Sequence, residues 1–232
     1  MYFYSSAQIE EKSNFRFQNA MYDILILKVD SLVTRNITII DNLELSSEKE
    51  IYDSLSNLGL FFALNAGIVD SSCNLLGLCI NNGNITQDIN TNSGSGNFYL
   101  LPNGFIGFEG QNVVIRSSSE YDKANSFITA VQSGPMLVID SVINTKFDKN
   151  SKNKHHRLGV GTYHEKGEQF LVFATSLTEV SFFEFATLFI EKYKCNNALN
   201  IESGTVCTFH LPSSMNIYSP TKTTCKYLYL KL

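Results

Sequence analysis

With 232 residues, 44% of them hydrophobic and 12% aromatic, the chain is long enough to bury a substantial core, as one domain or as two intimate subdomains. Its net charge of −4 excludes a surface built throughout for a nucleic-acid backbone, so no nucleic-acid partner is expected. No apolar run is long enough to cross a bilayer, and Met1-Tyr2-Phe3-Tyr4 lacks the basic and hydrophobic regions of a signal peptide. The expected location is therefore cytoplasmic if Met1 is the native start, and periplasmic or secreted if a leader preceded it. Five cysteines (Cys73, Cys79, Cys195, Cys207 and Cys225) cannot all pair within one chain, and none shows the two-residue spacing of a metal pair. Buried thiols are the expectation; export would permit a Cys73–Cys79 or a Cys207–Cys225 disulfide. The sequons Asn36-Ile37-Thr38 and Asn84-Ile85-Thr86 become glycan sites only in a eukaryotic secretory route.

In chain order, residues 22–29 and 36–40 read as strands joined by a polar connection over 31–35. Ser47 and Glu50 form a capping box ahead of Ile51, Leu55 and Leu58 at helical spacing, and Gly59 is a natural stop. Residues 60–64 then run as a buried strand into Asn65. Residues 81–96 are polar loop. Residues 97–101 and 105–108 fit a hairpin around Pro102-Asn103-Gly104, and 148–156 is a second loop. Residues 157–163 and 169–174 fit another hairpin, around Glu165-Lys166-Gly167. Ser181 and Glu184 make a second capping box, followed by the apolar helix face Phe182, Phe185, Ala186, Phe189, Ile190 and Tyr193 and a short strand over 198–201. Helix, strand and polar loop thus occur twice. The class is α+β, with extensive mixed or antiparallel sheet and a few packed helices.

Three of these strands end in small polar loops: Asn65-Ala66-Gly67, Gln132-Ser133-Gly134-Pro135 and Glu202-Ser203-Gly204. Glycine beside a strand end lets main-chain amides approach a ligand, and the neighbouring amide and carboxylate side chains supply hydrogen bonds or acid/base chemistry. Arg157 enters Leu158-Gly159-Val160-Gly161, a strand whose glycines permit close approach; its planar fork suits a pair of phosphate oxygens or a surface ion pair. Ser133 lacks the glycine-serine-glycine elbow of a nucleophile and is read as a binder. His155 and His156 are adjacent, with His164 and His210 far off in sequence, which is no ligand set. No metal site and no Walker, dinucleotide or redox-cofactor motif is identified. Calcium held by oxygen ligands leaves no signature in a single sequence and stays open.

Taken in order, these blocks, with Gly94-Ser95-Gly96-Asn97-Phe98 and Pro102-Asn103-Gly104 between the first and second, resemble the phosphodiester glycosidase family over about residues 63–204. The resemblance implies an enzyme that hydrolyses the glycosidic bond of a sugar-1-phosphodiester or related glycan. It aligns Glu202 with the family's acidic position, as base, nucleophile or sugar-hydroxyl ligand, and implies a catalytic, phosphate-stabilising role for Arg157. Asn65, Gly67, Asn97, Gln132, Ser133 and Gly134 become the implied substrate-binding residues, Asp70 a possible second carboxylate. Where the family has Asp-Gly-Gly or Asp-Gly-Ser, this chain has Glu202-Ser203-Gly204. The longer acidic side chain supports an alternative, a glycan- or phosphosugar-binding module without turnover. With no tryptophan in the chain, Phe98, Tyr99 and Tyr163 are the candidate stacking residues. The expected geometry is one cleft lined by Asn65, Gln132, Arg157 and Glu202.

Overall fold

In the computed structural model, residues 9–45, 62–204, 207–210, 215–218 and 224–230 are described. The chain opens with β1 (Ile9–Phe17), β2 (Ala20–Lys28), α1 (Ser31–Asn36), β3 (Ile37–Leu45), β4 (Phe62–Asn65), β5 (Cys79–Asn81) and β6 (Asn84–Gln87). It continues through β7 (Gly104–Glu109), β8 (Asn112–Ser117), β9 (Thr129–Ser133), β10 (Met136–Ile139), β11 (Val142–Ile143), β12 (Arg157–Glu165) and β13 (Glu168–Ser176). Helix α2 (Phe182–Thr187), β14 (Asn197–Ser203), β15 (Cys207–His210), β16 (Met215–Tyr218) and β17 (Thr224–Leu230) complete the described elements. The fold is α+β. Its strands form a seven-stranded sheet, β1-β2-β13-β12-β14-β10-β11, and two five-stranded sheets, β16-β15-β4-β17-β3 and β6-β5-β9-β7-β8. Adjacent strands with assigned registers are antiparallel throughout.

All three sheets contribute to one shared core. Leu25, Leu158, Phe173 and Leu199 reach it from the large sheet, Phe62, Leu64 and Leu228 from the second, and Ile106, Ile115 and Val131 from the third. The large sheet is covered on its other face as well, where Tyr22, Ile24, Val172 and Ala198 meet Phe185 and Phe189. Burial on both faces explains why residues 24–27 read as a continuous apolar run, without the alternation of a half-wet strand.

Helix α2 begins as the capping box requires: Ser181 Oγ accepts the Glu184 N–H at 3.2 Å, and Glu184 Oε2 accepts the Ser181 N–H at 2.8 Å. Its apolar face continues through a π-helical turn, Leu188–Lys192. Gly159 and Gly161 lie beneath it. A Cβ on Gly161 would sit 2.7 Å from both Cys195 Sγ and Phe189 Cδ1, and one on Gly159 would sit 2.9 Å from Phe185 Cε1. These glycines admit aromatic rings, not a ligand. Gly161→Ala is therefore expected to destabilise the protein by about 1–3 kcal/mol through overpacking, read as a lowered denaturation midpoint; an unchanged midpoint would show that the helix moves aside freely.

Several local expectations change. Residues 31–36 are a helix, not a polar connection, because Asp30 Oδ1 caps it by accepting the Leu32 and Val33 N–H groups at 2.9 and 2.8 Å. Residues 97–101 do not form a strand: Asn97–Tyr99 is a 3-10 turn, and β7 pairs instead with β8. The expected loop over 81–96 contains β6. Strand β1 was not anticipated, since its middle is an unbroken polar run, Glu10 to Asn14, at the sheet's outer edge. Cys73 is disulfide-bonded while Cys79 is a buried thiol, so the Cys73–Cys79 bridge does not form. Cys195 is likewise a buried thiol. The Ser47 capping box and its helix lie outside the described residues, as do the side chains needed to test a Cys207–Cys225 bridge.

Candidate active site

The three polar strand ends are joined to one another. Ala66, just beyond β4, donates its N–H to Lys226 O at 3.0 Å, and Asn65 is buried. A Cβ on Gly67 would come 3.2 Å from the Gln132 carbonyl oxygen and 3.9 Å from Ser133 Cβ, so the first loop lies directly on the second. The second is bonded in turn to β14. Ser133 Oγ donates to Ile201 O at 2.8 Å, Asn200 N donates to Pro135 O at 3.0 Å, and Asn200 Nδ2 donates to Gly134 O at 2.9 Å. Strand pairing then brings Ser203 opposite Arg157.

Arg157 departs from the expected open fork. It is 1% exposed, its guanidinium carbon lies 3.6 Å from the centre of the Phe182 ring, and its Nε donates to Val180 O at 2.9 Å. Nη1 donates to Ser203 Oγ at 2.9 Å, and that hydroxyl donates to Asn200 Oδ1 at 2.8 Å. The charge thus meets a ring face, the Val180 and Asn153 carbonyls and the Ser203 hydroxyl, the last of these at the end of β14. Ser203, where the family has glycine, links the arginine to Asn200.

Glu202 is half-buried, and its Oε1 accepts the Ser203 N–H at 2.8 Å. It stands opposite Leu158, just before an irregularity in the pairing, whereas Arg157 stands opposite Ser203. Directly opposed residues share a face and successive residues alternate. Arg157 and Ser203 therefore project toward α2, while Glu202 projects toward the side on which Leu158 meets the second sheet. The expectation was one cleft lined by both residues; the register sets Arg157 opposite Ser203 and Glu202 opposite Leu158.

Gln132 is another correction. Fully buried, its Oε1 accepts the Leu78 and Asn90 N–H groups at 3.0 and 2.9 Å, and its Nε2 donates to Asn90 O and Ser118 Oγ at 2.7 and 2.9 Å. A Cβ on Gly77 would lie 2.1 Å from Gln132 Oε1, so that glycine makes room for the amide. The side chain braces loops and leaves no amide group for a substrate phosphate.

Asn97 begins the 3-10 turn and is half-buried. Phe98 is buried, and Tyr99 meets its ring edge-on at 5.0 Å. Tyr163 stacks on Phe170 at 5.0 Å, roughly 20 Å along β12 from Arg157 at the usual rise per strand residue. Phe98 and Tyr163 therefore do not offer stacking surfaces at these strand ends.

Asp70 is exposed and closes a turn: its Oδ1 accepts the Ser72 and Asn74 N–H groups at 2.8 and 3.0 Å. The Asn74 N–H, with that of Ser72, holds its carboxyl below the usual aspartate range. Such a group stays ionised, with Oδ1 engaged by two main-chain N–H groups. Asp70→Asn is expected to change turnover less than about threefold, the range of an exposed turn substitution; a loss above a hundredfold in a steady-state assay would restore it as a catalytic carboxylate.

Sequence reasoning missed three contributors. Asn200 is fully buried within the otherwise apolar Ala198-Leu199-Asn200-Ile201, and that polar interruption was the available signal. Ser203 was singled out as a departure, but its link to Arg157 was not legible. His156, expected in a solvated loop, accepts the Gly204 N–H through its carbonyl at 2.9 Å. Its Nδ1 lies 3.0 Å from Ser176 O, and since a carbonyl only accepts, the proton sits on Nδ1. Among the described residues, no group of three or more His, Cys, Asp or Glu is arranged to hold a metal. No described helix is long and apolar enough to cross a membrane.

Antiparallel sheets joined at polar strand ends, with a carboxylate at one of them, define a class of sheet-rich protein with a polar site. The family model described as phosphodiester glycosidase matches residues 59–224, and the chain belongs to that family. An uncharacterised Escherichia coli K12 protein, YigE, is 33% identical over 149 residues, covering 64% of this chain; the chain spans 57% of that relative's length. The fold is shared with the catalytic domain of zebrafish N-acetylglucosamine-1-phosphodiester alpha-N-acetylglucosaminidase, auto-inhibited by its pro-peptide. That match has a TM-score of 0.61 and 14% identity, over 97% of this chain and 88% of the other. A hypothetical protein from Synechocystis matches with a TM-score of 0.57 and 11% identity, over 97% and 62% of the two chains.

Proposed function

We propose that this chain hydrolyses the glycosidic bond of a sugar-1-phosphodiester, releasing the sugar and a phosphate monoester. The observation that carries this reading is the joining of the three strand ends, the second hydrogen-bonded to the strand that carries Glu202 and the first lying against the second, in a chain that belongs to the phosphodiester glycosidase family. The leaving phosphate monoester has a second pKa of about 6, so its departure needs charge stabilisation more than full protonation. Glu202 supplies the carboxylate, activating water or stabilising an oxocarbenium-like transition state. Gly67, Ser133 and Gly134 are assigned to substrate binding, with the buried Asn65 supporting the strand end that leads into Gly67. Arg157 acts as a positioning residue through Ser203 and Asn200. The core shared by the three sheets supports one folding unit, not two separable domains.

A second reading, a phosphosugar-binding module without turnover, draws support from the Ser203 N–H on Glu202 Oε1, which turns one carboxylate oxygen toward the main chain. Product release from an activated sugar-1-phosphodiester separates the two. Turnover that saturates with substrate supports hydrolysis; saturable binding without product supports the module.

A further inference from the structure

One edge of the large sheet is both apolar and basic. Leu100, Leu101 and Val142 are three of the five large apolar side chains left exposed among the described residues, with Leu101 at 43% and Val142 at 57%. Val142 lies on β11, the outermost strand, opposite Ile139. Opposed residues share a face, and Ile139 packs on the core to which the third sheet contributes, so Val142 stands on the side where Leu101 leads into β7. Beyond β11 the chain turns back along β10. Asn144 N donates to Leu137 O at 3.0 Å, Asn144 Nδ2 donates to Met136 O at 2.9 Å, and Met136 N donates to Pro102 O at 2.9 Å. Lys146 and Leu101 then line one hollow.

The cations follow directly in sequence. Residues 140–157 hold five of the chain's 18 Lys and Arg residues and two acids, Asp140 and Asp148, in a chain whose net charge is −4. Arg157 is buried, and Lys154 is paired with Glu184. That leaves Lys146, Lys149 and Lys152, all exposed and in no ion pair with a described residue. Asp148 is turned onto its own loop, where its Oδ1 accepts the Asn150 N–H at 2.8 Å. The loop is held in shape: Phe147 stacks on Phe182 at 5.2 Å, Ser151 N donates to Asp148 O at 3.1 Å, and His155 and Val180 exchange main-chain hydrogen bonds at 3.1 and 2.9 Å. It ends at His156, whose carbonyl accepts the Gly204 N–H, so the loop that carries the cations is tied to the strand end that carries Glu202.

A soluble polyanion would leave Leu101 and Val142 in water, and an uncharged apolar partner would leave the lysines unmatched. An anionic bilayer satisfies both, because shallow apolar insertion and attraction to charged headgroups are each marginal alone and hold a protein when combined. Lysine suits this setting: its ammonium stays hydrated among the headgroups while its aliphatic stem lies along apolar surface. We propose that this edge is a peripheral docking surface for an anionic lipid bilayer, with Leu101 and Val142 entering the headgroup layer and Lys146, Lys149 and Lys152 against the lipid phosphates. The assignment does not depend on the hydrolase reading. Co-sedimentation of the full chain compares vesicles of phosphatidylcholine alone with vesicles of equal parts phosphatidylcholine and phosphatidylglycerol. Binding is expected to the second only, and to fall steeply between about 0.1 and 1 M salt, as the screening length shrinks from about 10 to about 3 Å.

Lys149→Ala and Lys152→Ala should each weaken binding about fivefold, the value of one lysine near an anionic surface. Leu101→Ser combined with Val142→Ser should weaken it at least as much and leave the salt dependence in place. All these side chains are exposed, so the melting temperature should hold. Lys166→Ala removes the same charge at the β12–β13 turn, the far end of β12 from Arg157, and should change nothing. No binding to the anionic vesicles, or equal binding to the neutral ones, would overturn the proposal. So would a loss from Lys166→Ala as large as that from Lys149→Ala, which would reduce the effect to overall charge. Full binding by the Leu101/Val142 variant, with soluble polyphosphate displacing the vesicles, would make the loop a polyanion contact and overturn the bilayer assignment.

Discussion

Glu202→Gln is expected to lower turnover of a sugar-1-phosphodiester by about a thousandfold or more, because an uncharged amide of nearly the same size removes both the base and the stabilising charge. Binding should change little. The amide oxygen can still accept the Ser203 N–H, so the local strand end survives and the melting temperature stays within the range of a conservative change. The paired measurement is product release against thermal unfolding on the same preparation. Glu202→Asp is the companion: it withdraws the carboxylate by roughly one carbon–carbon bond, about 1.5 Å, to the length usual in the family. Retained or raised activity in that variant would show that the site works with the shorter side chain. Near-normal turnover in folded Glu202→Gln would remove the carboxylate from the mechanism altogether.

Arg157→Ala is expected to act first on stability. It deletes a buried guanidinium that stacks on Phe182 and serves Val180 O and Ser203 Oγ, leaving those acceptors without its donors and a void beside the ring. Hydrogen bonds to charged groups contribute about 1.5–3 kcal/mol each, so a loss of about 3 kcal/mol or more is anticipated. For a chain of this length that is a fall of roughly 6–12 °C in melting temperature. Arg157→Lys should recover little, since an ammonium cannot reproduce the planar stack and the fork together. Whatever activity remains should fall equally for charged and neutral sugar ligands. A selective loss of the phosphodiester, with the melting temperature unchanged, would instead place Arg157 on the substrate phosphate.

Both results bear on a question of faces. At the sequence level Arg157 and Glu202 looked like two halves of one site, since each stands at an end of an apolar segment and the family resemblance implied a role for each. In the antiparallel ladder Arg157 is opposed by Ser203 and Glu202 by Leu158, so alternation sends the two side chains to different sides of the sheet. A register one residue different would have reversed this. Register depends on which strands pair and where the ladder is irregular, and neither is written in the local sequence.

What the sequence determined by itself was local: the Ser181–Glu184 capping box, the hairpin read as 157–163 and 169–174, the polar ends of β4, β9 and β14, the family, and the α+β class. Each depends on neighbours a few residues apart, or on motifs in linear order, so the chemistry is visible without knowing the partner strand. Tertiary structure decided the rest. Gln132 became a brace because Gly77 and Asn90, distant in the chain, surround its amide; Gly159 and Gly161 became seats for rings because α2 packs on that face. Arg157 became a clamp because Phe182 and Ser203 close over it. A polar or glycine residue at a strand end satisfies the same local rules whether it meets ligand, water or protein; only the packing of elements distant in sequence selects among them.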